Sequence, residues 1–519
     1  MKTENNRLVR ILYLIATLMV TLASLPLRAQ EVVVYRGDCM PPGEEEATTH
    51  RAALRRLPPR KTDWDATKTY KQLVILVEFS DSLFQRGEGQ TGEDVRLRYD
   101  RMFNENGYNE RSGKGSVADY FREQSAGLFN MEADVFGPYA VGEKARPSSS
   151  KNYGRSAMRA ALQQMMDQNP THDFSQYDWN GDNHIEQVVF VLASLSGNQG
   201  SSSAGFLWPN TSAFTEVTTP DGKTISDYSA SAELWLGKSK PSCGIGTICH
   251  EYAHSLGLPD IYPVSSTSDI SIVVDEWDLM DGGNITNFGW CPPNFTSLEK
   301  MLLGWMEPIE LTAAASIRDL KSIDNQGETY IVRQDGAPNH YLLIENRQLT
   351  GWDAGLPGQG LVIWDVHYDA AKWSNNRVND DSSSIHFTLV YADGRDYDAW
   401  HQVVVEMGKT SNPWQHSYRM NNYHLSTSPF PYTEAGDDPV VHDSYTFDGK
   451  PITQIAISSE GLASFDFMGG LPTGIREMQA SGFRPQEYYD LQGRRVDAPV
   501  RGQLYIVRQS DGRTRKYIY

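Results

Sequence analysis

Two histidines four residues apart, His250 and His254, with Glu251 beside the first, constrain this chain more than any other feature. Only a helix brings positions i and i+4 onto one face, close enough for both imidazoles to reach one ion. Neutral imidazole is a preferred zinc ligand, and zinc acidifies a bound water to a pKa of about 7. Glu251 stands where a carboxylate can take the proton from such a water. Gly257 follows three residues after His254, and Asp260 three after that. A glycine there can end the helix in a left-handed turn and send the chain back. Asp260 can then return as a third, oxygen ligand, leaving a fourth position for water. Leu258-Pro259-Asp260 is equally the composition of a plain capping turn.

The rest of the sequence sets the context for that helix. With 519 residues, the chain is long enough for roughly two to four domains. Its formal net charge of -19, from 47 Lys+Arg against 66 Asp+Glu, argues against a nucleic-acid partner, which needs basic surface. Lys2, Arg7 and Arg10 precede the apolar run Ile11 to Leu25 and the small residue of Leu27-Arg28-Ala29, the order of a signal peptide over residues 1–29. That run is shorter than the ~20 residues of a spanning helix, so the exported chain would begin at Gln30, without a transmembrane span and outside the cell or at its surface. Four cysteines, Cys39, Cys243, Cys249 and Cys291, are compatible with one or two bridges in that compartment.

Residues 30–67 are polar and broken by prolines, as in a leader or pro-segment. The apolar run from Leu73 to Phe79 predicts a buried central strand where the folded part begins. Ser116 predicts a helix cap for the stretch to Glu123, and Tyr153 to Asp167 repeats the helical spacing. Gln187 to Leu195 reads as a second buried strand. Strands alternating with helices predict an α/β catalytic domain over residues 68–312. Short runs at 328–332, 341–345, 360–366 and 385–389 predict a β-rich, sandwich-like domain over residues 313–468. Residues 469–519 make a small β tail module after the Gly469-Gly470-Leu471-Pro472 linker.

Asp178, Asn180, Asp182, His184 (through its carbonyl) and Glu186 space oxygen donors at alternate positions, as a calcium loop does, although Val189 stands where the usual closing glutamate would. The same composition suits an Asx-rich turn. Cys39 could cap a metal as a latency thiolate, or be a bridged or idle thiol. Cys249 points to core rather than metal, and Ser116 and Ser125 lack the adjacent base that serine catalysis needs.

The motif from His250 to Asp260 resembles that of the metzincin superfamily, with aspartate in place of the usual third histidine, and Trp277-Asp278-Leu279-Met280-Asp281 resembles its Met-turn, with Met280 as an apolar floor beneath the metal. A narrower resemblance is to the immune inhibitor A family of secreted bacterial metalloproteases. It rests on the pieces Val77 to Asp81, Gly115 to Ser125, Val135 to Pro138, Leu303-Gly304-Trp305, Tyr341 to Arg347, Gly351-Trp352-Asp353 and Gly360 to Trp364. It implies a zinc endopeptidase made as a proenzyme, with His250 and His254 on zinc and calcium as a structural ion. The chain departs from the family at Trp364-Asp365-Val366-His367, where a histidine commonly precedes the last aspartate. The tail is similar to the C-terminal modules of proteins exported by Bacteroidetes, which implies contact with secretion machinery or attachment to the cell surface. The sequence thus predicts a metzincin-like α/β (α+β) protease domain, a β-rich domain and a β tail, acting on protein or peptide substrates through Glu251 as general base. The alternative is a surface adhesin or glycan-binding protein that keeps the fold without the catalysis.

Overall fold

The computed structural model describes residues 64–148, 153–198, 205–235, 241–264, 273–381, 383–394, 429–434, 436, 439–470, 487–489, 494–496, 504–508 and 514–518. The expected leader, the part of the expected pro-segment before Trp64, and Cys39 lie outside these residues.

Alternation at period two organises the first sheet. Strand β1 (Thr69–Glu78) is buried from Leu73 to Val77 and pairs in parallel on both sides, with β2 (Asn130–Ala140) and β3 (Val188–Leu195). Such two-sided burial is why its sequence is a continuous apolar run. Strand β5 (Thr224–Leu234) extends the parallel set, and β4 (Asn210–Thr218) closes it as an antiparallel edge, in the order β2-β1-β3-β5-β4. Leu73, Ile75, Val77, Val188, Phe190 and Leu192 point to one face, under helix α3 (Arg155–Gln168). Val74, Leu76, Val189 and Val191 point to the other, where the helices α2 (Val117–Gln124) and α4 (Gly246–Ser255) pack, while α1 (Gly92–Asn104) lies against β2. Helix α2 starts where expected: Ser116 Oγ accepts from the Asp119 amide at 3.1 Å and Asp119 Oδ2 accepts from the Ser116 amide at 3.0 Å, a reciprocal capping box.

After α5 (Ser297–Leu302) the described elements are mostly strands. β6 (Ile309–Glu310), β8 (Tyr330–Gln334), β9 (Ala337–Arg347), β10 (Gly360–His367) and β11 (Phe387–Leu389) form one sheet, ordered β11-β10-β9-β8-β6. The five-residue helix α6 (Ala370–Ser374) interrupts the path from β10 to β11. β7 (Ala315–Leu320) joins β14 (Tyr445–Phe447), β15 (Lys450–Ile457) and β16 (Ala463–Phe467) in another, and β12 (Tyr432–Thr433) pairs with β13 (Val441–His442). Leu342, Ile344, Leu361 and Ile363 share a core with Phe465 and Phe467 of the second sheet. Their neighbours Tyr341, Leu343, Val362 and Trp364 face the other way, into the core that holds α2 and α4. One apolar core therefore crosses the boundary expected near residue 312. In the tail, β17 (Glu487–Tyr489), β18 (Arg495–Val496), β19 (Leu504–Arg508) and β20 (Thr514–Ile518) form a four-stranded antiparallel sheet, ordered β18-β17-β19-β20.

Cys243, Cys249 and Cys291 are unbridged thiols, so the bridges that four cysteines allow do not form among the three described. Cys249 is buried in the core, and burial pushes its thiol well above the ordinary value. No helix among the described residues is long and apolar enough to cross a membrane.

Candidate metal centre

Helix α4 is apolar on the side that meets the sheet, through Ile248, Cys249, Tyr252 and Ala253, and this packing holds His250 and His254 on its other side. Each imidazole is oriented through its Nδ1: that of His250 lies 2.8 Å from the Leu279 carbonyl, and that of His254 2.8 Å from the Leu258 carbonyl. A carbonyl can only accept, so Nδ1 carries the proton and Nε2 is left with the lone pair a metal requires.

The helix ends as the glycine predicts. Gly257 takes φ +100°, its amide donates to the His254 carbonyl at 2.9 Å, and the Leu258 amide donates to the Ala253 carbonyl at 3.1 Å, which is the Schellman pattern. A side chain other than glycine would be strained at that φ. The reversal brings Asp260 Oδ1 to 3.3 Å from His250 Nε2 and 3.1 Å from His254 Nε2. All three residues are buried, and His250 Nε2 and Asp260 Oδ1 make no hydrogen bond. Two orphaned polar atoms facing one another inside a protein are costly unless something bridges them. An N/N/O donor set within 4.8 Å is what a zinc ion binds, so these residues fit that ion.

The electrostatics agree with the geometry. Burial opposes the charged form of Asp260, but His254 and His250 outweigh it and hold the carboxyl far below the usual carboxylate range. Burial likewise opposes a charged His254, and Asp260 outweighs it, lifting the pKa to about 9. The site favours one positive charge beside Asp260, and a cation there displaces the proton. Burial raises the Glu251 carboxyl above its ordinary value, against the pull of His250 and His254.

Two residues the sequence reading did not single out complete this arrangement. Thr211, on the edge strand β4, has its hydroxyl 2.9 Å from Glu251 Oε2 and 2.6 Å from the Glu251 carbonyl oxygen. Asn376, just after α6, grips Asp260 twice: its Nδ2 donates to Asp260 Oδ2 at 2.7 Å and its Oδ1 accepts from the Asp260 amide at 2.6 Å. This leaves Oδ1 of Asp260 as the oxygen that faces the histidines. Asn379 donates to the Ile261 carbonyl at 2.9 Å, and Asp380 accepts from the Val264 amide at 2.7 Å. The segment after α4 is thus held by residues more than a hundred positions later, and no local sequence signal marks them.

Met280 is fully buried in the same core, and its carbonyl accepts from the Ile261 amide at 2.9 Å, which ties the turn at Met280 to the segment after Asp260. Asp278 Oδ1 accepts from the Met280 amide at 2.6 Å, which holds the turn closed. The loop of Asp178, Asn180, Asp182, His184 and Glu186, where the spacing predicts a calcium site, is folded round Asp178. Asp178 accepts from the amides of Gly181, Asp182 and Asn183 and pairs with the Lys223 ammonium at 2.9 Å, while Glu186 accepts from the Trp179 amide. The loop's ligand atoms are not gathered round one point as those of His250, His254 and Asp260 are. As folded, the loop is an Asx-rich turn in which the Lys223 ammonium lies against Asp178.

Residues 59–301 match the family described as Immune inhibitor A peptidase M6, catalytic domain. Immune inhibitor A of Bacillus thuringiensis subsp. alesti is 24% identical over 288 residues, covering 46% of this chain and 41% of its own length. The pre-pro-metalloprotease PrtV of Vibrio cholerae serotype O1 (strain M66-2) is 24% identical over 275 residues, covering 46% of this chain and 30% of its own. The matched part spans less than half of either relative. The family match and the buried histidine-aspartate cluster fall in the same stretch of chain, residues 59–301, which is similar to the catalytic domain of the immune inhibitor A peptidase M6 family.

Proposed function

We propose that the chain is an exported zinc-dependent endopeptidase with a metzincin-like site, in which His250, His254 and Asp260 hold the ion. The convergence of their three ligand atoms in a buried site, with the Glu251 carboxylate on the same helix, carries the proposal. Zinc bound there would supply Lewis acidity, acidifying a water and polarising the scissile carbonyl. Glu251 takes the proton from the attacking water as its oxygen bonds to the carbonyl carbon. It then delivers that proton to the departing amine as the C–N bond breaks, so no covalent enzyme intermediate forms. The raised affinity of Glu251 for a proton suits both steps, and the Thr211 hydroxyl steadies the carboxylate between them. Export through residues 1–29 and latency through residues 30–67 complete the reading.

Casein hydrolysis should stop when the protein is treated with phenanthroline and resume when zinc is restored. Zinc-loaded protein, freed of residues 30–67, that leaves casein intact would replace this reading with that of a non-catalytic surface protein.

Asn376→Ala should weaken zinc binding by about 10- to 100-fold, the usual cost of losing a group that orients a ligand. Competition with a fluorescent chelator measures it. Unchanged affinity would make the double hydrogen bond to Asp260 a packing feature only.

A further inference from the structure

We propose a second metal site, on the β9–β10 ladder, where His340, His367 and Asp365 hold a divalent transition-metal ion. These residues lie beyond the stretch matched to the family. The strand register sets His340 directly opposite His367. Asp365, two residues earlier on the same strand, shares the face of His367 because side chains alternate along a strand. His340 Nε2 lies 2.8 Å and His367 Nε2 3.6 Å from the same oxygen, Asp365 Oδ1. The three ligand atoms all fall within 4.8 Å of one another. Tetrahedral coordination at zinc-to-nitrogen and zinc-to-oxygen distances of about 2.0–2.2 Å separates neighbouring ligand atoms by ~3.3–3.6 Å. Both spacings are within a small side-chain movement of that range.

Two further features prepare the site. His340 Nδ1 is bound to Gln334 Oε1, which turns Nε2 toward Asp365 Oδ1, and the proton Nε2 shares with that carboxylate oxygen is the one an arriving cation displaces. The two imidazoles are stacked with centroids 3.6 Å apart and planes 27° from parallel. Binding requires the rings to open from this stack about their χ angles, and the exposed His367, at 46% side-chain exposure, is free to do so. That exposure also leaves the remaining coordination positions to water. Two imidazoles with one carboxylate select zinc, copper(II) or nickel over calcium or magnesium, which prefer all-oxygen sets.

The test uses the full-length chain with His250→Ala and His254→Ala, which removes the first site and with it any dependence on the proposed catalysis. Titration calorimetry with zinc at neutral pH should show one equivalent bound. Copper(II) should give an electron paramagnetic resonance spectrum split by two nitrogens. Adding His367→Ala, or separately Asp365→Asn, should weaken zinc binding by on the order of tenfold or more, since losing a direct ligand costs at least as much as losing a group behind one. His367 is exposed and Asp365 half-buried, and Asp365→Asn preserves side-chain volume. If the parent variant binds no zinc, or if either added substitution leaves the affinity unchanged, the site does not exist as described.

Discussion

Glu251→Gln should lower peptide hydrolysis by about 10²- to 10⁴-fold, the range by which a positioned proton-transfer group accelerates such a step, while leaving zinc bound. The amide keeps the shape of the carboxylate and still meets the Thr211 hydroxyl 2.9 Å from Oε2, but it cannot take a proton. In the proposed site the buried donors are His250, His254 and Asp260, so the ion has no need of residue 251. Elemental analysis of the purified variant beside a casein or peptide assay separates the two roles. A variant that loses zinc along with activity would mean that Glu251 supports the site rather than the chemistry, and full activity would remove it from the mechanism.

Arg347→Met should destabilise the fold by about 3–5 kcal/mol, the cost of breaking a buried ion pair from one side. Arg347 is fully buried. Its Nη1 lies 2.9 Å from Glu345 Oε1, while Nε and Nη2 each lie 2.7 Å from one oxygen of Asp353. Removing the guanidinium leaves two carboxylates inside the protein without their counter-charge. Chemical denaturation measures the loss. Replacing Glu345 and Asp353 by their amides in the Arg347→Met background should recover much of it, because the penalty comes from uncompensated charge rather than lost volume. A variant as stable as wild type would show that this network contributes nothing net.

That network also shows what the family-like motifs do. Tyr341 to Arg347, Gly351-Trp352-Asp353 and Gly115 to Ser125 are far apart in sequence, and read one by one they suggest no common role. Folded, they meet. Trp352 Nε1 donates to Glu123 Oε2 at 2.8 Å and its ring meets Tyr120 edge-on at 5.0 Å. The Asn294 amide donates to Asp353, the Phe295 amide to Gln124, and the Ser297 amide to Glu345. They form a buried polar scaffold behind α4, which charged and amide groups can occupy only because their partners are satisfied there.

What the sequence determined by itself was local. The spacing of His250 and His254, the cap at Ser116, the left-handed glycine at 257 and the apolar run of β1 each depend on contacts within a few residues or on period, and each is present where the spacing placed it. The helix and strand ends differ by one to a few residues, as at Phe387, where the expected strand began at Ile385. Only the tertiary structure decided the rest. The loop from Asp178 to Glu186 has the spacing of a calcium site, but Lys223, 45 residues on, supplies the positive charge to Asp178. Asn376 holds Asp260 across 116 residues, and His340 meets His367 only through strand pairing. A period in sequence reports which residues share a face. Which charge or amide arrives at that face from a distant strand depends on how the chain returns, and no local spacing encodes it.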